Sequence, residues 1–102
     1  MQDIKWIELI RVRSSAKKLQ EAIPSLEKQV MDIENSIAEA ETFFMQHAIY
    51  DGDLTVVIVW RNNAEPQQTV EGLLVAESLQ KLGFFDHTVW IPVKNGFKQN
   101  RR

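Results

Sequence analysis

Two histidines and one tryptophan are the side chains of this 102-residue sequence whose types suit chemistry on a bound molecule. A neutral imidazole exchanges protons near neutral pH, so His47 is the candidate for a catalytic base or a polar anchor. An indole offers a wide apolar surface for stacking, so Trp60 is the candidate for a pocket wall. A site built from both would suit a small, largely apolar organic molecule.

Each of these residues also has a purely structural interpretation. A histidine among apolar residues is often a hydrogen-bonded core side chain, and a tryptophan is often part of a core or an interface. His47 and His87 are expected on opposite edge strands, about 14 Å apart, so they cannot share a metal ion. No metal site is predicted. Glu8 is a carboxylate among apolar residues, and we expect an ion pair with Arg11, Arg13 or Arg61.

These side chains must be positioned by strands and helices, and the first half of the chain predicts one of each. Residues 4–13 are rich in β-branched and aromatic residues, which predicts a strand. Ser14 or Ser15 then caps a helix. Pro24 lies inside this helix, where a bend is favoured and a restart is the alternative. Its apolar stripe favours packing on a sheet over a coiled coil; the stripe comprises Leu19, Ile23, Leu26, Val30, Ile33 and Ile37.

A hairpin follows, with strands at residues 43–50 and 54–61 around Asp51-Gly52, a pair typical of a two-residue type I′ turn. This turn sets Tyr50 opposite Asp53 and so assigns the two faces of the hairpin. The face toward the helices is the predicted ligand-binding set: Phe43, Met45, His47, Ile58 and Trp60. The other face carries Phe44, Tyr50, Val57 and Val59.

The last third predicts a second helix and a final strand. Pro66 suits the first position of a helix that continues to residue 82, where Gly83 ends it. Residues 84–93 alternate as a strand with His87 toward the helices. Val70 and Leu74 point away from the sheet side of the second helix.

The element order predicts an α+β, ferredoxin-like βαββαβ fold with a four-stranded antiparallel sheet in the order 4-1-3-2. Both helices then cover one face, and the other face keeps many apolar side chains. A second copy would cover it, so we predict a homodimer. The expected interface residues are Phe44, Tyr50, Val57, Val59, Trp90, Val70 and Leu74.

Composition limits the remaining classes of function. The absence of cysteine excludes disulfides and thiolate metal sites and is compatible with a cytoplasmic location. Residues 1–93, the predicted single domain, hold all 14 acidic residues but only eight of the 12 basic residues. The other four lie in residues 94–102, a basic tail that its composition predicts to be flexible. An acidic body does not suit nucleic acid, and no run approaches the roughly 20 apolar residues of a membrane span. No cofactor-binding motif is present.

The element order over residues 4–93, with the strand LTVVIVWRN and a helix within six residues of it, resembles the dimeric α+β-barrel superfamily, in its branch of antibiotic-biosynthesis-monooxygenase-like domains. The resemblance implies sheets paired face to face and a small pocket between sheet and helices. It implies cofactor-independent monooxygenase-like or isomerase-like activity. Trp60 resembles the tryptophan of heme-degrading members, but their asparagine on the first strand and histidine on the second helix are lacking. The alternative is a non-catalytic interaction, regulatory or assembly module.

Overall fold

Two helices and four strands follow one another in the order βαββαβ along the part of the chain that the structure describes. The computed structural model describes residues 3–93, so the predicted tail at residues 94–102 lies outside the described residues. No helix among them is long and apolar enough to cross a membrane. The elements are β1 (Trp6–Arg13), α1 (Ala16–Ser36), β2 (Ala40–Gln46), β3 (Asp53–Trp60), α2 (Val70–Gln80) and β4 (Phe84–Trp90).

The four strands form one antiparallel sheet in the order β2-β3-β1-β4, which is the predicted order 4-1-3-2 read in reverse. The predicted α+β fold is therefore confirmed. β1 is a central strand, and its even-numbered side chains from Trp6 to Val12 are buried while Arg11 and Arg13 are exposed. The period of two along a strand explains this pattern, because the helices cover only one face.

α1 is continuous across Pro24, so the favoured prediction of an unbroken helix is confirmed and the alternative of a restart at that residue is wrong. Ser15 caps the helix, since its side chain accepts a hydrogen bond of 3.2 Å from the Lys18 backbone N–H. The predicted stripe packs on the sheet, because its members belong to the same core as the inward side chains of β1 and β3. Its buried members are Leu19, Leu26, Val30 and Ile33.

The hairpin register differs from the prediction. Val56, expected opposite His47, lies opposite Phe44, a shift of three residues. Residues 47–52 form the connection, and no residue in the described part of the chain has the positive φ that a type I′ turn requires. The longer loop is held by His47, whose Nδ1 accepts hydrogen bonds from the backbone N–H groups of Ile49 (3.0 Å) and Tyr50 (3.1 Å).

The odd shift moves the side chains of β2 to the opposite faces. Phe44, predicted at a dimer interface, packs against the core beneath the helices. Phe43 and Met45, predicted in a ligand pocket, lie on the uncovered face with 45% and 51% of their surfaces exposed. The faces of β3 are as predicted, with Ile58 toward the helices and Val57 on the other side.

The second helix begins at Val70 and not at Pro66. Thr69 is the N-cap, and its hydroxyl oxygen accepts a hydrogen bond of 2.9 Å from the Gly72 N–H. The hydrogen bond from an N-cap threonine stabilises a helix start, whereas a proline is only accommodated at the first helical position. The predicted start is therefore wrong by four residues, and residues 61–69 are irregular.

Three loops meet at Ser14, between β1 and α1. The Ser14 N–H donates to the Gly52 carbonyl oxygen at 2.7 Å, and the Ser14 hydroxyl donates to the Leu82 carbonyl oxygen at 2.6 Å. A Cβ at Gly52 would overlap the Ser14 carbonyl oxygen, and one at Gly83 would overlap the Arg13 carbonyl oxygen. The close approach of these loops therefore requires glycine at both positions.

We call the sheet surface opposite the helices the open face. No described element covers it, and Trp90 on β4 is 54% exposed there. One end is charged, because Arg13 donates to both carboxylate oxygens of Asp53 at 2.9 Å and Arg11 donates to Asp86 at 3.2 Å. The apolar part of the open face comprises Ile7, Leu9, Phe43, Met45, Val57, Val59 and Trp90.

Candidate functional site

A fully buried carboxylate, Glu8, lies between the sheet and α2. Its Oε2 accepts hydrogen bonds from Trp60 Nε1 (2.9 Å) and from the Thr69 hydroxyl (2.6 Å). Its Oε1 accepts from the Thr69 backbone N–H (3.2 Å) and lies 2.6 Å from His87 Nε2. We call Glu8, Trp60, Thr69 and His87 the Glu8 cluster.

The strand register brings these residues together. Glu8 lies opposite Ile58 on β3 and opposite Val89 on β4, so Trp60 and His87 are its diagonal neighbours on the same face. Diagonal neighbours lie about 7–8 Å apart at the backbone, within reach of long side chains. Thr69 reaches Glu8 from above the sheet, because it is the residue that starts α2.

The surroundings of Glu8 are those of an ionised carboxylate. The indole and the Thr69 backbone N–H only donate, and the Thr69 hydroxyl oxygen already accepts from Gly72, so its hydrogen is directed to Glu8. An ionised carboxylate accepts about four hydrogen bonds, and here it has four partners. His87 Nε2 is therefore assigned as a donor, so Nδ1 is the acceptor in the neutral form of the ring.

The N-terminus of α2 also favours a negative charge at this position. Thr69 and Gly72 belong to its cap and first turn, where unpaired backbone N–H groups carry partial positive charge. A Cβ at Gly72 would overlap Glu8 Oε1 and lie 3.0 Å from His87 Nε2. Glycine at this position thus allows the helix to approach the carboxylate closely.

His87 also lies in the wall of a groove of about 590 Å³ between α2 and β4. Its side chain is only 4% exposed, and its Nδ1 is buried without a hydrogen-bond partner among the described residues. The Gln68 amide donates to the His87 carbonyl oxygen at 3.0 Å at one side of this groove. The apolar wall consists of Val70, Leu73, Leu74, Ala76 and Phe85.

The structure does not bring the predicted ligand-binding residues together. Trp60 lies opposite Ala40 at the start of β2, whereas His47 follows the end of that strand, about 20 Å away. Trp60 is buried and stacks on Trp6 with a ring-centroid distance of 5.4 Å. His47 is exposed in the loop that it organises. Ile58 is in the core.

The predicted partners of Glu8 are also wrong. Arg11 and Arg13 lie on the opposite face of β1, where they pair with Asp86 and Asp53. Arg61 pairs with Glu41 at 2.7 Å.

Two members of the Glu8 cluster, Thr69 and His87, were not predicted as site residues. The sequence contained a signal for each of them. Alternation places Glu8 and His87 on the same face of the sheet, and Thr69 is an N-cap residue before an apolar run.

Within residues 3–93 no group of three or more histidine, aspartate or glutamate side chains is arranged to hold a metal ion. The polar groups of the Glu8 cluster are instead arranged around one another. Their arrangement supports proton transfer: a buried carboxylate fixes an imidazole whose second nitrogen is unpaired.

No family model matches the sequence, and no curated protein matches it. Solved structures that are similar to most of the chain include the following two. A conserved protein of unknown function from Bacteroides thetaiotaomicron, described as a possible oxidoreductase, matches with a TM-score of 0.63 at 11% identity, covering 88% of this chain and 100% of that one. SnoaB, a cofactor-independent oxygenase from Streptomyces nogalater, matches with a TM-score of 0.52 at 10% identity, covering 93% of this chain and 97% of that one.

The chain shares their fold. The predicted resemblance is therefore confirmed at the level of the fold, which in this chain comprises two helices and a four-stranded antiparallel sheet. Function has to be argued from the side chains of this chain, because one fold supports many activities.

Proposed function

We propose that this chain is a homodimeric α+β domain that binds, or chemically transforms, a small and largely apolar organic molecule in the groove between α2 and β4. One observation carries the proposal: His87 is held by the buried Glu8 at 2.6 Å and also forms part of the wall of that groove. A polar group fixed in a mostly apolar concavity is the usual composition of a small-molecule site.

The groove meets the physical requirements for such a ligand. Its volume of about 590 Å³ lies within the range of roughly 300–1,000 Å³ found for ligand pockets. Val70, Leu73 and Leu74 are exposed apolar side chains on α2, and burying them under a ligand would remove apolar surface from water. The proposed site is thus not the predicted pocket of Trp60 and His47 but a groove at the opposite edge of the sheet, between α2 and β4.

The fold neighbours favour an enzyme over a passive binding domain. SnoaB is an oxygenase that needs no cofactor, and the Bacteroides protein is described as a possible oxidoreductase. In the enzymatic form of the proposal, this chain acts without a cofactor as an oxygenase or an isomerase. His87 is the reacting polar group and Glu8 positions it.

The proposed dimer forms through the open face. Phe43, Met45 and Trp90 are about half exposed there, which is a large apolar surface for a monomer. Two copies packed face to face would bury it by twofold symmetry. Val57, Val59 and Tyr50 remain proposed interface residues, whereas Val70 and Leu74 are reassigned to the groove.

The same surface favours the second candidate, a non-catalytic assembly module. In that case the open face mediates association and the groove stays empty. The two candidates differ in whether a small molecule binds beside His87, so ligand binding and oligomeric state are tested separately.

Ligand binding is tested by a screen of small aromatic and aliphatic fragments, with binding read from backbone amide shifts in nuclear magnetic resonance spectra. We expect shifts at Ala76, Phe85 and His87 that saturate with ligand. Leu73→Gln should weaken this binding, whereas Met31→Gln, at an exposed position on α1, should not. Fragments that shift only open-face amides, or no fragment that binds, would overturn the proposal for the groove.

The dimer is tested by sedimentation velocity at micromolar concentration. We expect a dimer that Met45→Glu converts to a monomer and that Met31→Glu leaves intact. A monomeric natural protein would overturn the proposed dimer without affecting the test of the groove.

A further inference from the structure

We infer that His87 Nδ1 accepts a proton or a hydrogen bond from the molecule in the groove, with Glu8 as the positioning residue. The ligand class follows from this role: an apolar molecule that carries a weakly acidic hydrogen, such as a phenol, an enol or a carbon acid beside a carbonyl group. The inference rests on the proposed function, because it assumes that the groove is the binding site.

One nitrogen of the His87 ring is unpaired. Nδ1 of His87 is buried and has no partner among residues 3–93, although buried polar atoms are nearly always hydrogen-bonded. An unpaired buried acceptor has a free-energy cost that a donor from a ligand would remove. His87 is one of the residues that line the groove, and we place Nδ1 within reach of a ligand that displaces the exposed side chains beside it.

The other nitrogen, Nε2, is assigned a hydrogen. Glu8 Oε1 and Oε2 are surrounded by the donors of Trp60 and Thr69, so the fourth partner, His87 Nε2, donates as well. In the neutral form of the ring, a hydrogen on Nε2 leaves the lone pair on Nδ1, and this is the form assigned to His87. A hydrogen bond donated by one ring N–H to a carboxylate is the usual means of fixing the tautomer of a catalytic imidazole.

The proton then transfers from the ligand to Nδ1. The O–H or C–H bond of the ligand breaks, its electron pair stays on the ligand as a phenolate or enolate, and the proton forms an N–H bond at Nδ1. The resulting imidazolium lies 2.6 Å from the Glu8 carboxylate, which stabilises its positive charge. Glu8 keeps its hydrogen bonds to Trp60 and Thr69 throughout, and the step needs no oxidant or reductant.

A purely structural role for His87 makes a different prediction. If His87 only satisfies Glu8, a glutamine that donates its side-chain amide to Oε1 would replace it fully. His87→Gln keeps a donor at the distance of Nε2 but lacks the Nδ1 lone pair. The variant therefore separates the two roles and keeps the carboxylate partnered.

The test compares 2-naphthol with naphthalene, two probes of the same shape of which only the first donates a hydrogen bond. We expect both to bind the natural protein, and we expect the preference for 2-naphthol to fall about fivefold in His87→Gln. His47→Gln, at the exposed histidine, is the matched control and should keep the preference. Long-range ¹H–¹⁵N spectra of the imidazole should show the hydrogen of His87 on Nε2.

Each result decides between the proposals. An unchanged preference in His87→Gln, or a hydrogen found on Nδ1 of the free protein, would overturn this inference while the proposed function stands. Binding of neither probe in the groove would count against both. If His87→Gln fails to fold, two measurements on the natural protein decide: the tautomer of His87 and the shift of its Nδ1 resonance when a probe is added. 2-Naphthol must move the Nδ1 resonance if it donates directly to that atom, whereas naphthalene must leave the resonance unchanged.

Discussion

Gly72 lies against the Glu8 carboxylate so closely that a Cβ at position 72 would overlap Oε1. Because this glycine has no side chain, α2 can approach the sheet closely at this position. A larger residue must displace the carboxylate from Thr69, Trp60 and His87 or lift the first turn of the helix.

Gly72→Ala should destabilise the protein by about 2 kcal/mol, although alanine favours a helix over glycine by roughly 1 kcal/mol. Urea unfolding measures the change. Glu77→Ala, an exposed substitution on the same helix, should change the free energy of unfolding by less than about 0.5 kcal/mol. A more stable Gly72→Ala variant would contradict the close contact.

The register of β2 predicts opposite effects for two adjacent phenylalanines. Phe44→Ala should cost about 2 kcal/mol of unfolding free energy, because Phe44 packs partly against the core. Phe43→Ala should instead weaken the proposed dimer and leave the stability of the monomer nearly unchanged. Unfolding measured at several protein concentrations separates the effect on the monomer from the effect on the dimer. If Phe43→Ala destabilised the monomer and Phe44→Ala weakened the dimer, the predicted register with a two-residue turn would be supported instead.

The ion pair between Arg13 and Asp53 predicts a dependence of stability on pH. The Arg13 guanidinium, by hydrogen bonding and then by charge, lowers the pKa of Asp53 below its ordinary value of 3.8, and the same pair raises the pKa of Arg13. A carboxyl with a lowered folded-state pKa stabilises the protein above its ordinary pKa. This contribution is lost as the pH falls below 3.8 and through the lower folded-state value.

Asp53→Asn should therefore be less stable than the natural protein at pH 7, and the difference should shrink below about pH 4. Urea unfolding across this range measures it. In an Arg13→Gln background, Asp53→Asn should have almost no effect at any pH, because the pair is already absent. A difference that persists unchanged at pH 2 would show that another contact is responsible.

Pro24 lies inside α1, where it cannot donate a backbone hydrogen bond. Pro24→Ala should stabilise the protein by about 1–3 kcal/mol, since the helix is continuous across this position. Thermal unfolding followed by circular dichroism measures the gain. Ser25→Ala, at the next exposed position, is the control and should change little; a loss of stability in Pro24→Ala would mean that the ring makes a contact of its own.

Regular periodicity allowed most of the fold to be predicted from the sequence. The alternation in β3 and β4 and the stripe of α1 depend on nearby residues alone, so the element order and the inward faces of these elements were predictable. The sheet order followed from the element order through the ferredoxin-like arrangement. The hairpin register was not, because His47 holds a six-residue loop with its side chain. A strong local turn signal at Asp51-Gly52 was outweighed by these bonds and by the contact with Ser14.

The candidate site was less predictable, because the Glu8 cluster joins side chains from three strands and a helix cap. The numbering already separates Glu8 from Arg11 and Arg13, since an even and an odd residue of a strand face opposite sides. Alternation on β4 likewise placed His87 toward the helices. The contribution of Thr69 was missed because the predicted start at Pro66 placed it inside α2 and not at the N-cap, from which it donates to Glu8.

The junction at Ser14 has a kinetic consequence. The turn between β1 and α1 is local along the chain, but its hydrogen bonds go to Gly52 and, 68 positions away, to Leu82. Contacts of such long sequence separation form slowly, because two large loops must close before they are made. The turn should therefore be completed late in folding, and substitutions at Gly52 or Gly83 should accelerate unfolding more than they slow refolding.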